Sequence, residues 1–149
     1  TAFLFAQAEG RDLWQSRLLP WHLLVQSVMA GAAGFLLIGP LFGLDAGAAR
    51  MLAGVFAASL ALDLLITGGE FGLPHEGAVA STAARMITRG RYARHYWGSL
   101  ACGVLIPLAI AALAKSSPVA LAAAGALALA GLFSYEWAFV FAPQQVPNN

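Results

Sequence analysis

Two acids stand inside apolar runs: Asp63 in LALDLLIT and Glu136 in LFSYEWAFVF. An Asp near the centre of a membrane-crossing helix costs roughly 2.5–3.5 kcal/mol, so such groups are paired or do chemistry. Other polar residues recur at a spacing of four, which puts each set on one helix face. His22 and Gln26 form one set, His95 and Ser99 a second, and Ser59, Asp63 and Thr67 a third. Together with Tyr135, beside Glu136, these side chains could line a water-accessible pocket opening from one membrane face. The candidates for a proton path are therefore Asp63, Glu136, His22, Gln26, Ser59, His95, Ser99 and Tyr135. Buried carboxylates that load and release protons are the chemistry such a path needs. A structural reading of the same residues stands beside it. Carboxylates near a span end, satisfied by Arg94, His95, Tyr135 or backbone, would hold helices in register.

Other chemistry is excluded. The three histidines are His22, His75 and His95, and His75 falls in a loop, so two spans do not offer facing haem ligands. The single cysteine, Cys102, rules out an internal disulfide and any CxxC-type metal or iron–sulfur site, and it reads as a small packing residue. Walker, HExxH and GxSxG motifs are absent. The sequence thus assigns no catalytic residue and no metal site. A net charge of +1 offers nothing to nucleic acid.

The elements that must position these groups follow from composition. Of 149 residues, 60% are hydrophobic and 10% charged, against about 45–50% and 25% in soluble domains. The apolar residues are gathered into runs over 20–41, 48–67, 95–114 and 118–142, each near the ~20 residues that cross a bilayer. The expected fold is all-α, an integral membrane four-helix bundle. Pro20 and the pair Ser117–Pro118 mark helix starts. Pro107 falls within the third span, where it should kink the helix or free a carbonyl. Ala122, Ala126 and Ala130 suggest close packing along the last span. Residues 1–19 read as the end of a preceding helix and a cytoplasmic connector, and residues 143–149 as a C-terminal tail.

Segment 68–94 reads as a long arginine-rich loop, with a short interfacial helix within 77–92 carrying Val79, Ala83, Met86 and Ile87 on one side. Gly90 could end that helix. Arg85, Arg89, Arg91 and Arg94 lie on the same side as Arg11 and Arg17, while Arg50 and Lys115 lie opposite. The bias toward basic cytoplasmic loops makes the arginine-rich side, and with it the C-terminus, cytoplasmic. Trp21, Tyr96, Trp97 and Trp137 would form an aromatic belt there. The four loop arginines read first as topology determinants and second as lipid contacts.

Several stretches carry a resemblance: TAFLFAQAEGRDLWQS, LLPWHLLVQSVMAGAAGFLL, RMITRGRYARHYWGSLACGVLIPLAI and YEWAFVFAPQQVPNN. Their most specific pieces are AQAEGRDLWQS, the TRGRYA loop with the Gly103 to Pro107 helix after it, and the Glu136–Trp137 ending with its QQVP. Together they resemble the C-terminal half of the NrfD, or polysulfide reductase membrane-subunit, family. The resemblance implies the second half of a subunit of eight or more helices, multi-pass in a bacterial inner (cytoplasmic) membrane. It implies a haem-free subunit of a respiratory or photosynthetic complex that couples quinone or quinol oxidoreduction to an iron–sulfur partner. This half would serve as scaffold and proton path. No cofactor would be bound by this segment, while menaquinone or ubiquinone would bind in the complete subunit, mainly in its N-terminal half. Expected partners are the bilayer, that N-terminal half, a four-cluster iron–sulfur protein, and a molybdopterin subunit or cytochrome c. A different reading of the same resemblance is a structural anchor or sealing module without quinone or proton traffic.

Overall fold

A computed structural model describes residues 1–8, 11–73, 77–113 and 117–147. His75, Lys115, Ala114 at the end of the third expected span, Glu9 and Gly10 of the AQAEGRDLWQS stretch, and residues 148–149 of the tail lie outside the described residues. The chain opens with a short helix α1 (Ala2–Ala6) and a 3-10 turn at Asp12–Gln15. Helix α2 (Leu19–Ile38) follows, extended by a 3-10 turn at Gly39–Phe42, and then α3 (Ala46–Gly72). After α4 (Ala78–Thr88), the third span is built from α5 (Ala93–Gly98), a π-helical stretch at Ser99–Leu105, and α6 (Ile106–Leu113). Helix α7 (Pro118–Gln144) closes the chain. Four of these helical units are long and apolar enough to cross a membrane. The described residues form an all-helical bundle of four membrane-crossing helices.

Local chemistry sets the helix ends. Asp45 caps α3, its Oδ1 accepting from the backbone N–H of Gly47 at 2.8 Å and Ala48 at 3.1 Å, so the helix starts at Ala46 rather than at 48. Gly43, at φ +67°, supplies the left-handed residue that ends the preceding turn. Pro118 sits in the first turn of α7 behind Ser117, as expected. Pro107 cannot donate to the ladder and its ring crowds the carbonyl four residues back. The wider π-helical turn immediately before it absorbs that mismatch.

Helix α3 extends past Thr67 to Gly72, so the first residues of the expected loop are helical and Glu70 belongs to a span. The short helix in the remaining loop is Ala78–Thr88, with Ala80, Ala83, Ala84 and Ile87 buried. Tyr96 leaves the expected aromatic belt: it is buried, 5.0 Å centroid to centroid from Phe71. Trp21, Trp97 and Trp137 are exposed. The small residues that seat α7 are Ala124, Gly125, Ala128 and Gly131, whereas Ala126 and Ala130 face outward and Ala122 is half-buried. In an alanine-rich helix the small-residue pattern carries no phase, and the neighbours chose the face. A Cβ on Gly125 would lie 2.6 Å from the carbonyl oxygen of Ala33, and one on Gly103 would lie 2.6 Å from the Cα of Gly131. These glycines let α2 and the third span approach α7 backbone to backbone.

The helices bury two apolar clusters. One, toward the arginine-rich end, contains Leu13, Trp14, Leu19, Ile87, Tyr92, Tyr96, Tyr135 and Phe139. The other, toward the opposite end, contains Met29, Ala33, Leu36, Phe56, Leu60, Val104, Leu121 and Ala128. Between 28 and 33% of each span's most apolar stretch is buried, so most of each span's apolar surface faces outward, as lipid or a protein neighbour requires.

Candidate functional site

The polar side chains lie between the two clusters. His22, one turn into α2, is 1% exposed. Its ring is held on both sides by carboxylates from α3: Nδ1 lies 3.0 Å from Glu70 Oε2, and Nε2 lies 3.1 Å from Asp63 Oδ1. Asp63, Thr67 and Glu70 follow one another by four and three residues, the spacing of a single helix face. That face of α3 meets the His22–Gln26 face of α2. Thr67 Oγ1 lies 3.4 Å and Gln26 Nε2 3.1 Å from His22 Nε2. Tyr135 of α7 closes the group, its ring 5.3 Å from the imidazole and its hydroxyl donating to Glu70 Oε2 at 3.5 Å. The other carboxylate oxygen, Glu70 Oε1, is buried and has no hydrogen-bond partner among the described residues.

Proton bookkeeping constrains this cluster. An amide nitrogen only donates, and one imidazole nitrogen cannot accept from Gln26 while donating to Asp63. In one arrangement Nδ1–H donates to Glu70, and the single lone pair of Nε2 is shared between two donors, the Gln26 amide and a protonated Asp63 carboxyl. In the other, the Gln26 amide is reversed, Nε2–H donates to an ionised Asp63, and the Gln26 carbonyl accepts. Both hold the same number of protons. They differ by one transfer between Asp63 and His22 and by the rotation of one amide. The two carboxylates sit on opposite sides of one ring, so they do not converge on a point where a metal could bind, and no metal-holding group of His, Cys, Asp or Glu occurs among the described residues.

Space exists on both sides. Asp63, Gln26, Thr67, Ser99, Tyr96 and Tyr135 line a small internal cavity with about 20 Å³ of room for water, enough for one molecule. A wider cleft of about 480 Å³, between the Asp12–Gln15 turn and the end of α3, is lined by Asp12, Gln15, Ser16, Arg17 and residue Glu70. Asp63 thus borders the internal cavity, Glu70 the cleft, and His22 joins the two.

The other expected residues are placed differently. Ser59 is buried but donates to the Val55 carbonyl of its own helix, at 2.8 Å. Ser99 lines the internal cavity and donates to the Tyr96 carbonyl at 2.8 Å. His95 pairs through Nδ1 with Ser134 Oγ at 3.2 Å, away from the carboxylates. Glu136 is half-buried beside Gln26 and makes none of the hydrogen bonds to His22. Neither Arg94 nor His95 satisfies Asp63; His22 does. Arg85, Arg89, Arg91 and Arg94 are exposed and pair with no described carboxylate. Glu70 is absent from the sequence expectation because Gly68 and Gly69 read as the start of a loop. Continuing the Asp63–Thr67 spacing by three would have found it.

The family model described as polysulphide reductase, NrfD, matches residues 1–148. No curated protein and no solved structure matches the chain. The chain belongs to the NrfD family, and its four apolar helices make it a multi-pass membrane protein.

Proposed function

We propose that this member of the NrfD family is the membrane subunit of a quinone-linked redox complex and that its four helices carry protons through Asp63, His22 and Glu70. The observation that supports the reading is a single buried imidazole with a carboxylate on each ring nitrogen, at 3.1 and 3.0 Å. A relay needs such an arrangement: a proton accepted at one nitrogen releases another from the opposite nitrogen, so charge crosses the ring without the ring moving. Tyr135 and the packing around it hold the ring in place.

A quinone, when bound in the complex, supplies the two-electron, two-proton chemistry. The internal cavity beside Asp63 holds about one water molecule and not a quinone ring. That internal cavity therefore does not fit the cofactor, and a quinone would have to lie outside it. What this chain's residues do is hold and pass protons: Asp63 toward the internal water space, Glu70 toward the cleft at the arginine-rich end. An iron–sulfur partner protein, with a molybdopterin or cytochrome c component beyond it, would take or supply the electrons. The cytoplasmic bias of basic loops supports reading the arginine-rich face as the cytoplasmic one, in a bacterial inner membrane.

The test is quinol-linked turnover of the intact complex. Asp63→Asn and Glu70→Gln keep the size of each side chain but remove its titration. Each should lower turnover by about 10²-fold, the range of a lost proton-transfer group, with subunit composition unchanged. Unchanged turnover in an intact complex would make the bundle an anchor or sealing module instead.

A further inference from the structure

The two openings at the arginine-rich end differ in charge. The cleft beside the Asp12–Gln15 turn contains Arg17 but also Asp12 and Glu70, so its positive charge meets acids of the same chain. A second cavity, of about 270 Å³, lies between the start of the third span and the end of α7, and it is lined by Arg91, Arg94, His95, Tyr92, Trp137, Phe141 and Gln145. Two guanidinium groups and an imidazole border it, and no carboxylate among the described residues does. Arg91 and Arg94 are exposed and form no ion pair with a described carboxylate.

Its floor is fixed. Gln145 Nε2 donates to Tyr92 Oη at 2.8 Å, and His95 Nδ1 is held by Ser134, which leaves Nε2 of His95 for another partner. Its wall is aromatic: Trp137 and Phe141, one turn apart on α7, have ring centroids 4.5 Å apart and are 45% and 37% exposed. Both belong to the long apolar helix Pro118–Gln144, near its C-terminal end. One cavity therefore joins cationic donors at the end of the helices to an aromatic wall on a membrane-crossing helix. An acidic soluble protein would meet the arginines but leave that wall unused. Arginine's planar fork matches phosphate oxygens in pairs, and tryptophan sits favourably at the membrane interface.

We propose that this cavity binds the phosphodiester headgroup of an anionic membrane lipid, with Arg91 and Arg94 on the phosphate and Trp137 and Phe141 along the first carbons of the chains. The experiment uses the complete complex in nanodiscs of phosphatidylcholine containing phosphatidylglycerol, and native mass spectrometry counts the lipids that stay bound as detergent is titrated in. The parent should keep a phosphatidylglycerol that the Arg91→Ala/Arg94→Ala double variant holds about 30-fold more weakly, from the attraction of each basic residue to an anionic lipid surface. Arg85→Ala/Arg89→Ala, whose side chains lie outside the cavity, should keep it. If the double alanine variant does not assemble, Arg91→Gln alone should show a smaller weakening in the same direction. Equal retention of phosphatidylglycerol by parent and variant, or retention of phosphatidylcholine as tightly as phosphatidylglycerol, overturns the proposal. So does loss of a soluble subunit from the variant with its lipid count unchanged.

Discussion

His22 and His95 are alike in sequence. Each opens a membrane-crossing helix from the same side, and each has a polar residue four positions on, Gln26 and Ser99. In the folded chain they differ. His22 is buried between two carboxylates, while His95 is half-buried and bonded to the hydroxyl of Ser134. The cause lies on the neighbouring helices. α3 presents Asp63, Thr67 and Glu70 to His22, whereas α7 turns Ser134 to His95 and sets Glu136 beside Gln26 rather than on either imidazole. An imidazole at a span end thus takes its partners from the face packed against it, and the same residue type is held between two carboxylates in one place and tied to a hydroxyl in the other.

Removing His22 should break this contrast most severely. His22→Ala leaves two buried carboxylates without their shared partner, and losing one member of a buried charged group costs about 3–5 kcal/mol. Thermal unfolding in detergent should show a large loss for it, and a neutral cavity-filling replacement of all three groups, Asp63→Leu and Glu70→Leu with His22→Leu, should recover much of that loss. His95→Ala breaks one hydrogen bond and should cost no more than about 1.5 kcal/mol in the same assay. Comparable losses for the two histidines would mean that the carboxylate sandwich is not what distinguishes them.

The two acids sharpen the comparison next. Asp63→Asn should slow quinol-linked turnover by about 10²-fold, while Glu136→Gln, which reaches the His22 cluster only through Gln26, should slow it less. Equal slowing by both would extend the relay to α7. Smaller still is a packing effect on the His95 side, where Gly103 meets Gly131. Gly103→Ala forces two backbones apart and should cost about 1–3 kcal/mol. Gly54→Ala, with open space around its position, should be neutral or stabilising by roughly 0.5–1 kcal/mol. Circular dichroism melts of the purified chain distinguish the two.

Much of the site was legible because membrane burial makes polar residues conspicuous. His22, Gln26 and Asp63 stand out from alanine and leucine, and the helical spacing assigns each to a face. Glu70 was hidden by Gly68 and Gly69, which look like a loop but continue α3, whose Thr67 and Glu70 face is packed against α2 there. Tyr96 was misplaced for a related reason: aromatic residues near an interface serve as belts or as core, and only the position of Phe71 decides which. The seating of α7 failed on its own composition, since alanine at nearly every position leaves no periodic signal.

The sequence by itself determined that four helices cross a membrane, where two of them begin, and that polar groups gather toward one face, because hydrophobic length and proline or capping residues act locally along the chain. Tertiary structure decided which polar groups meet. Helix rotation and depth are set by contacts such as Ala33 on Gly125 and Gly103 on Gly131, and a rotation of one residue, about 100°, would carry Asp63 away from His22. A helix's own residues fix its faces, but only its neighbours fix which face looks inward.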